Sequence, residues 1–241
     1  MEQIFFAIAT FVSTALGGLL ALRFRDRLHL FLGFTAGVIL AVIAFDILPE
    51  IFDQLKESNI AIQAPMIALV AGFLLFHTIE KLIVMHTSHE GEYATHKHPR
   101  IGILSALALS GHSFMDGVGI GLGFQVNNNF GVLIAIAVIS HDFADGLNTT
   151  SLMLLNHNSV KRSLGFLLLD AVAPVLGVIT TNLFQFPPQF TVIYLGFFAG
   201  FLLYIAGSDI LPEAHSNHPS GLTLTTTYAG VIFIFLVTQL I

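Results

Sequence analysis

Apolar residues run along this chain in eight stretches of about twenty, the length a helix needs to cross a hydrocarbon layer about 30 Å thick. The polar and Pro/Gly-rich breaks between them predict helices over residues 2–22, 30–52, 64–85, 101–124, 130–154, 162–184, 190–213 and 222–241. Composition supports that reading. The 241 residues are 55% hydrophobic and 10% charged, with a mean hydropathy of +0.84, whereas a soluble domain carries roughly 25% charged residues. An all-α, polytopic membrane protein is expected, with residues 1–241 forming a single eight-helix domain. The first stretch lacks a basic leader region and a small-residue cleavage site, so it reads as a retained helix. With no cysteine in the chain, disulfides and thiolate metal sites are excluded.

The cations set the orientation. Arg23, Arg25 and Arg27 follow helix 1, Lys81, Lys97 and Arg100 follow helix 3, and Lys161 and Arg162 follow helix 5, while only Lys56 falls between helices 2 and 3. Loops rich in Lys and Arg stay in the cytoplasm, which puts both termini outside. Eight crossings demand that both ends share one side, so the two arguments agree. An internal repeat adds a second constraint: Gly33-Phe34, Ala36-Gly37, Leu40 and Asp46-Ile47-Leu48-Pro49-Glu50 return 163 positions later as Gly196-Phe197, Ala199-Gly200, Leu203 and Asp209-Ile210-Leu211-Pro212-Glu213. Helices 2 and 7 run in opposite senses, so helices 1–3 and 6–8 form an inverted repeat around a central pair, helices 4 and 5. An inverted repeat with a binding site at its interface is the sequence mark of a secondary transporter.

The central pair carries the chemistry. His-Ser-Phe-Met-Asp-Gly at 112–117 and His-Asp-Phe-Ala-Asp-Gly at 141–146 place His112 above Asp116 and His141 above Asp145 on a helix face. An ionisable group at that depth costs about 2.5 kcal/mol or more, so it implies a partner, and a metal cation suits two imidazoles with two carboxylates. Zinc fits such a set in tetrahedral form, and iron(II) or manganese fits it with added water. Toward the outside, Asp46, Glu50 and Asp53 crowd the end of helix 2 as an acidic mouth, mirrored by Asp209 and Glu213. On the inner side His77 and Glu80 mark an exit, followed by a His-rich loop over residues 86–100 containing His86, His89, His96 and His98. Nothing in this pattern calls for nucleic acid, and no P-loop suggests drive by ATP. The expected partners are divalent metal ions and the lipid bilayer.

With these motifs the chain resembles the ZIP family of divalent metal-ion transporters, of the bacterial type, over nearly its whole length. The resemblance implies a transporter and not an enzyme, placed in the cell (inner) membrane, carrying Zn2+, Fe2+ or Mn2+ from outside to cytosol. It further implies that His112, Asp116, His141 and Asp145 hold a first metal, that Ser113, Asp116, Asp142 and Asp145 hold a second, and that two copies form a homodimer. Both motif glutamates of the family are aspartates here, Asp116 and Asp145, and both motif prolines are replaced, by Met115 and Ala144. Helix 6 has Ala173-Pro174 where the family has Glu-Pro, and Asp170, three residues earlier on the same face, is the available substitute. Asp142, about 100° around the helix from His141, can equally support a ligand from behind. The rival reading is an intramembrane zinc-dependent hydrolase of the ceramidase-like kind, which needs an open coordination position and a one-sided, lipid-sized pocket.

Overall fold

The computed structural model describes residues 2–22, 28–57, 60–88, 99–216 and 221–240; within them the side chains of residues 28, 29, 31, 57, 80, 83–88, 101, 209, 213 and 216 are left aside. Among the described residues there are eight helical rods and no strand. They are α1 (Glu2–Ala21), α2 (Leu28–Val42, continued by Ile43–Ile47 and Leu48–Glu57), α3 (Gln63–Ser88), α4 (Pro99–Val126), α5 (Asn128–Leu155), α6 (Val160–Leu183), α7 (Pro188–Tyr204, continued by Ile205–Ile210 and Leu211–Ser216) and α8 (Gly221–Leu240). Seven helices are long and apolar enough to span a membrane, and α3 adds a shorter apolar stretch over Gln63–Ile79. This is a polytopic membrane protein. Large apolar side chains on α1, α3 and α8, such as Phe5, Ile67 and Phe233, face outward, which suits a lipid environment.

Packing follows the inverted repeat. α1 lies on α5 as α6 lies on α4, and α3 lies on α7 as α8 lies on α2. Exchanging helix 1 with 6, 2 with 7, 3 with 8 and 4 with 5 therefore maps the contacts onto themselves. The repeated Leu-Pro-Glu segment leaves a matching backbone trace: Ile43–Ile47 and Ile205–Ile210 are π-helical turns within α2 and α7. Proline supplies the cause, since Pro49 and Pro212 have no N–H to bond the carbonyl four residues back and would clash with it. A widened π turn relieves both problems without breaking the helix. Small residues permit the tight crossings, as where the Gly37 and Gly230 positions each abut backbone of the opposite helix.

Two ties order the helix ends. Gln3 at the start of α1 donates to Asn182 at the end of α6, and Asn158 after α5 donates to the Pro99 carbonyl at the start of α4 at 2.9 Å. The first tie sits on the face carrying the start of α1, the second on the opposite face. Arg23, Arg25, Arg27, Lys97 and residues 89–98 of the His-rich loop lie outside the described residues.

Candidate metal centre

The centre is built by the middles of α4 and α5. His112 is the fourteenth residue of the 28-residue α4, and His141 the fourteenth of the 28-residue α5, so the two motifs meet at equal depth. The glycine ending each motif sets the approach of the neighbouring helices. A Cβ on Gly117 would run into the Pro174 carbonyl of α6, and one on Gly146 into the Thr14 carbonyl of α1. Close backbone contact of this kind holds the ligand-bearing helices in fixed relation to their neighbours.

The side chains converge. The Nε2 of His112 is 3.0 Å from Asp116 Oδ2 and 3.1 Å from Asp145 Oδ2, and the Nε2 of His141 is 3.4 Å from Asp116 Oδ1 and 3.9 Å from Asp145 Oδ2. One ligand atom from each of the four residues lies within 4.8 Å of all the others, and all four are buried. The Nδ1 of His141 sits 2.9 Å from the Ala137 carbonyl. Because a carbonyl only accepts, Nδ1 carries the hydrogen and Nε2 presents its lone pair to the centre.

The polar bookkeeping shows what the group requires. Both Nε2 atoms, both oxygens of Asp116 and of Asp142, and Oδ2 of Asp145 are buried without a hydrogen-bond partner among the described residues. Leaving a buried acceptor unmet costs about 1–3 kcal/mol each. A divalent cation would meet those of His112, Asp116, His141 and Asp145 together, and imidazole with carboxylate is a donor set that such ions accept. Asp142 is fully buried, with Oδ1 4.0 Å from His141 Nε2, and stands beside the four-residue group instead of within it.

Asp170 occupies the point where α4, α5 and α6 meet. Its Oδ1 accepts from Ser113 at 2.8 Å and its Oδ2 from Thr149 at 2.7 Å. Both oxygens are therefore engaged by hydroxyls, and Ser113 also donates to the Leu109 carbonyl at 3.1 Å. Thr149 escaped sequence reasoning because the Asn148-Thr149-Thr150 run reads as an empty glycosylation sequon. Its spacing of four from Asp145 was the available signal.

An aromatic wall closes one side of the centre. The His112 ring packs edge-on against Phe201 of α7, with centroids 4.5 Å apart, and Phe201 in turn lies 4.0 Å from Phe76 of α3. Tyr194 of α7 donates to the Met115 carbonyl at 2.6 Å, pinning α7 to the α4 motif. These residues carry no periodicity that separates them from ordinary core aromatics.

Other expected path residues lie apart. Asp46 is buried and accepts from Thr238 of α8 at 2.9 Å, which corrects its reading as part of a watery outer mouth; the π turn carries it inward against α8. Asp53 is paired with Lys56 at 2.7 Å on the surface. Glu50, half-buried, accepts from Gln54 at 3.0 Å, and the half-buried His77 faces the Tyr204 ring at 5.7 Å. The side chains of Glu80, Asp209, Glu213 and His86 lie outside those described.

Two inverted helices meeting at a buried imidazole and carboxylate centre define a membrane transporter for a metal cation. Residues 84–238 match the family described as ZIP Zinc transporter, and the chain belongs to that family. It is 30% identical over 241 aligned residues to a protein named zinc transporter ZupT from Chlorobium phaeovibrioides, covering 91% of this chain and 90% of that one. The proteins of the same name from Chlorobium luteolum and Streptococcus mutans are 30% and 26% identical, covering 91% and 92% of this chain and 90% of each relative.

Proposed function

We propose that this protein carries zinc from outside to cytosol through the centre made by His112, Asp116, His141 and Asp145. The carrying observation is the convergence of two buried Nε2 atoms and two carboxylates at equal depth on inverted helices. The names of these relatives point to zinc as the cargo, and iron(II) and manganese are its competitors at the same donors. The side holding the Lys- and Arg-rich loops is the cytosolic one, and both termini face outward across the cell membrane. Asp142 supports the ligands from beside the centre. The bonds of Asp170 to Ser113 and Thr149 favour a single bound ion, because a second ion at Ser113 would have to displace a charge-assisted hydrogen bond. The homodimer is an expectation drawn from the family.

The test is zinc uptake into proteoliposomes, with lipid hydrolysis followed in the same preparation. Saturable zinc accumulation without lipid cleavage is expected. Cleavage without uptake would transfer the centre to a hydrolase.

A further inference from the structure

A cavity of 570 Å³ opens on the face carrying the start of α1 and the ends of α4 and α6. Its polar lining is carboxamide and hydroxyl: Gln54 of α2, Gln125 of α4, Thr181 and Asn182 of α6, Gln185, and Thr191 of α7. No charged side chain lines it among the described residues. At about 30 Å³ per molecule in liquid water, it has room for roughly twenty waters, ample for a divalent ion that keeps its six.

The amide orientations are fixed by what their nitrogens bond. Gln54 gives its Nε2 to the Glu50 carboxylate at 3.0 Å, and Gln125 gives both hydrogens to backbone carbonyls, of Thr181 at 2.8 Å and Phe184 at 3.1 Å. Reversing either amide would set its oxygen against another oxygen. Of the amide atoms on these two cavity-lining residues, the carbonyl oxygens of Gln54 and Gln125 are therefore the ones not committed to those bonds. Asn182 differs, since its oxygen accepts from Gln3, and it serves to anchor α1.

The cavity stands in line with the metal centre. Gln125 lies nine residues beyond Asp116 on α4, about 13 Å at about 1.5 Å per residue. Between them the Phe198 ring presses on Gly119, while at the level of the centre Tyr194 bonds the Met115 carbonyl and Phe201 continues the stack to His112. An aromatic barrier of Phe186, Phe190, Tyr194, Phe198 and Phe201 thus runs from the cavity lining to the His112 ring.

We propose that this cavity is a docking vestibule for a hydrated divalent cation, held through its water shell by the amide oxygens of Gln54 and Gln125. The inference rests on the transport reading. Neutral oxygens bind divalent ions weakly and discriminate little between them, which suits a first stop from which the ion must leave. The Glu50 carboxylate, one turn below, polarises the Gln54 amide and makes its oxygen the better acceptor. Discrimination is left to the imidazoles beyond the barrier.

Two measurements test this. In proteoliposomes, Gln54→Met should raise KM for zinc about threefold and Gln54→Lys about tenfold, with kcat and the zinc affinity of the detergent-solubilised centre unchanged. The second measurement does not depend on flux. The cysteine-free chain is given Gln185→Cys for a trifluoromethyl tag, and His112→Ala with Asp116→Ala to silence the centre. Mn2+ should then broaden the fluorine resonance, and Gln54→Lys should abolish the broadening. Wild-type KM in both Gln54 variants, or an unbroadened tag at millimolar Mn2+, overturns the vestibule. Broadening of the tag together with an absence of zinc uptake by the wild-type protein would leave the vestibule standing and overturn the transport reading instead.

Discussion

The helices fall into two groups of four, α1, α4, α5 and α6 against α2, α3, α7 and α8, and the groups divide the chemistry unequally. Among the described residues every buried imidazole and carboxylate except that of Asp46 belongs to the first group, while the largest fully buried aromatics, Phe198 and Phe201, belong to the second. The groups touch through Phe201 and Phe76 at His112 and through single hydroxyl bonds, Thr35 to the Ser140 carbonyl at 3.1 Å and Tyr194 to that of Met115. One group thus holds the clustered imidazoles and carboxylates proposed as ligands, and the other packs an apolar face against them. The contrast explains how a charged centre persists in a membrane interior: its ligands are braced by their own group and shielded by the other, which strengthens every electrostatic interaction inside.

The largest effect should come from emptying the polar group of a ligand. His141→Ala or Asp116→Ala should abolish zinc uptake, with at least about tenfold weaker binding, while the protein remains folded in detergent. Normal uptake by either variant would place the ion elsewhere. Next comes the brace: Asp170→Ala strands the Thr149 hydroxyl and leaves Ser113 with only the Leu109 carbonyl, costing about 1–3 kcal/mol of stability. Thermal unfolding in detergent reads that loss, and an unchanged midpoint would show that the three helices do not depend on it. Acidity should act more gently. Imidazoles must be unprotonated to bind, so protons compete with the ion and affinity should fall as the medium is acidified. A zinc-binding curve indifferent to pH between neutral and clearly acidic would remove both histidines from the centre. The smallest effect is expected outside both groups, where replacing His86, His89, His96 and His98 together by Ser should alter uptake only modestly. A fourfold variant as inactive as His141→Ala would make that loop part of the path.

Much of this was legible in the order of residues. Eight apolar stretches gave helix positions within a few residues, because nothing competes with a helix for the backbone bonds of an apolar segment in lipid. The matched His-x-x-x-Asp-Gly pair named the four convergent residues, since spacing of four fixes a common face and the inverted repeat fixes a common depth. Contacts between distant helices were another matter. Ser113, Thr149 and Asp170 meet only after α4, α5 and α6 have packed, and a hydroxyl in a membrane helix looks the same whether it serves its own backbone or a remote carboxylate. Asp46 was misplaced for a like reason: Thr238 reaches it only once α8 has packed on α2, whose helix passes through Pro49 by way of a π turn.

That passage through proline changes which way the rest of α2 faces. On an uninterrupted α-helix Asp46 would lie about 180° around the cylinder from Gly37, on the side away from α8. The wider turn over Ile43–Ile47 resets the angular phase, so Gly37 and Asp46 both meet α8, at Thr227 and Thr238, whereas Gln54 comes round to the vestibule. A single rod is thereby divided into two sectors with independent facing. A helical wheel drawn across the whole of α2 would mix them, and each sector has its own stripe of neighbours to satisfy.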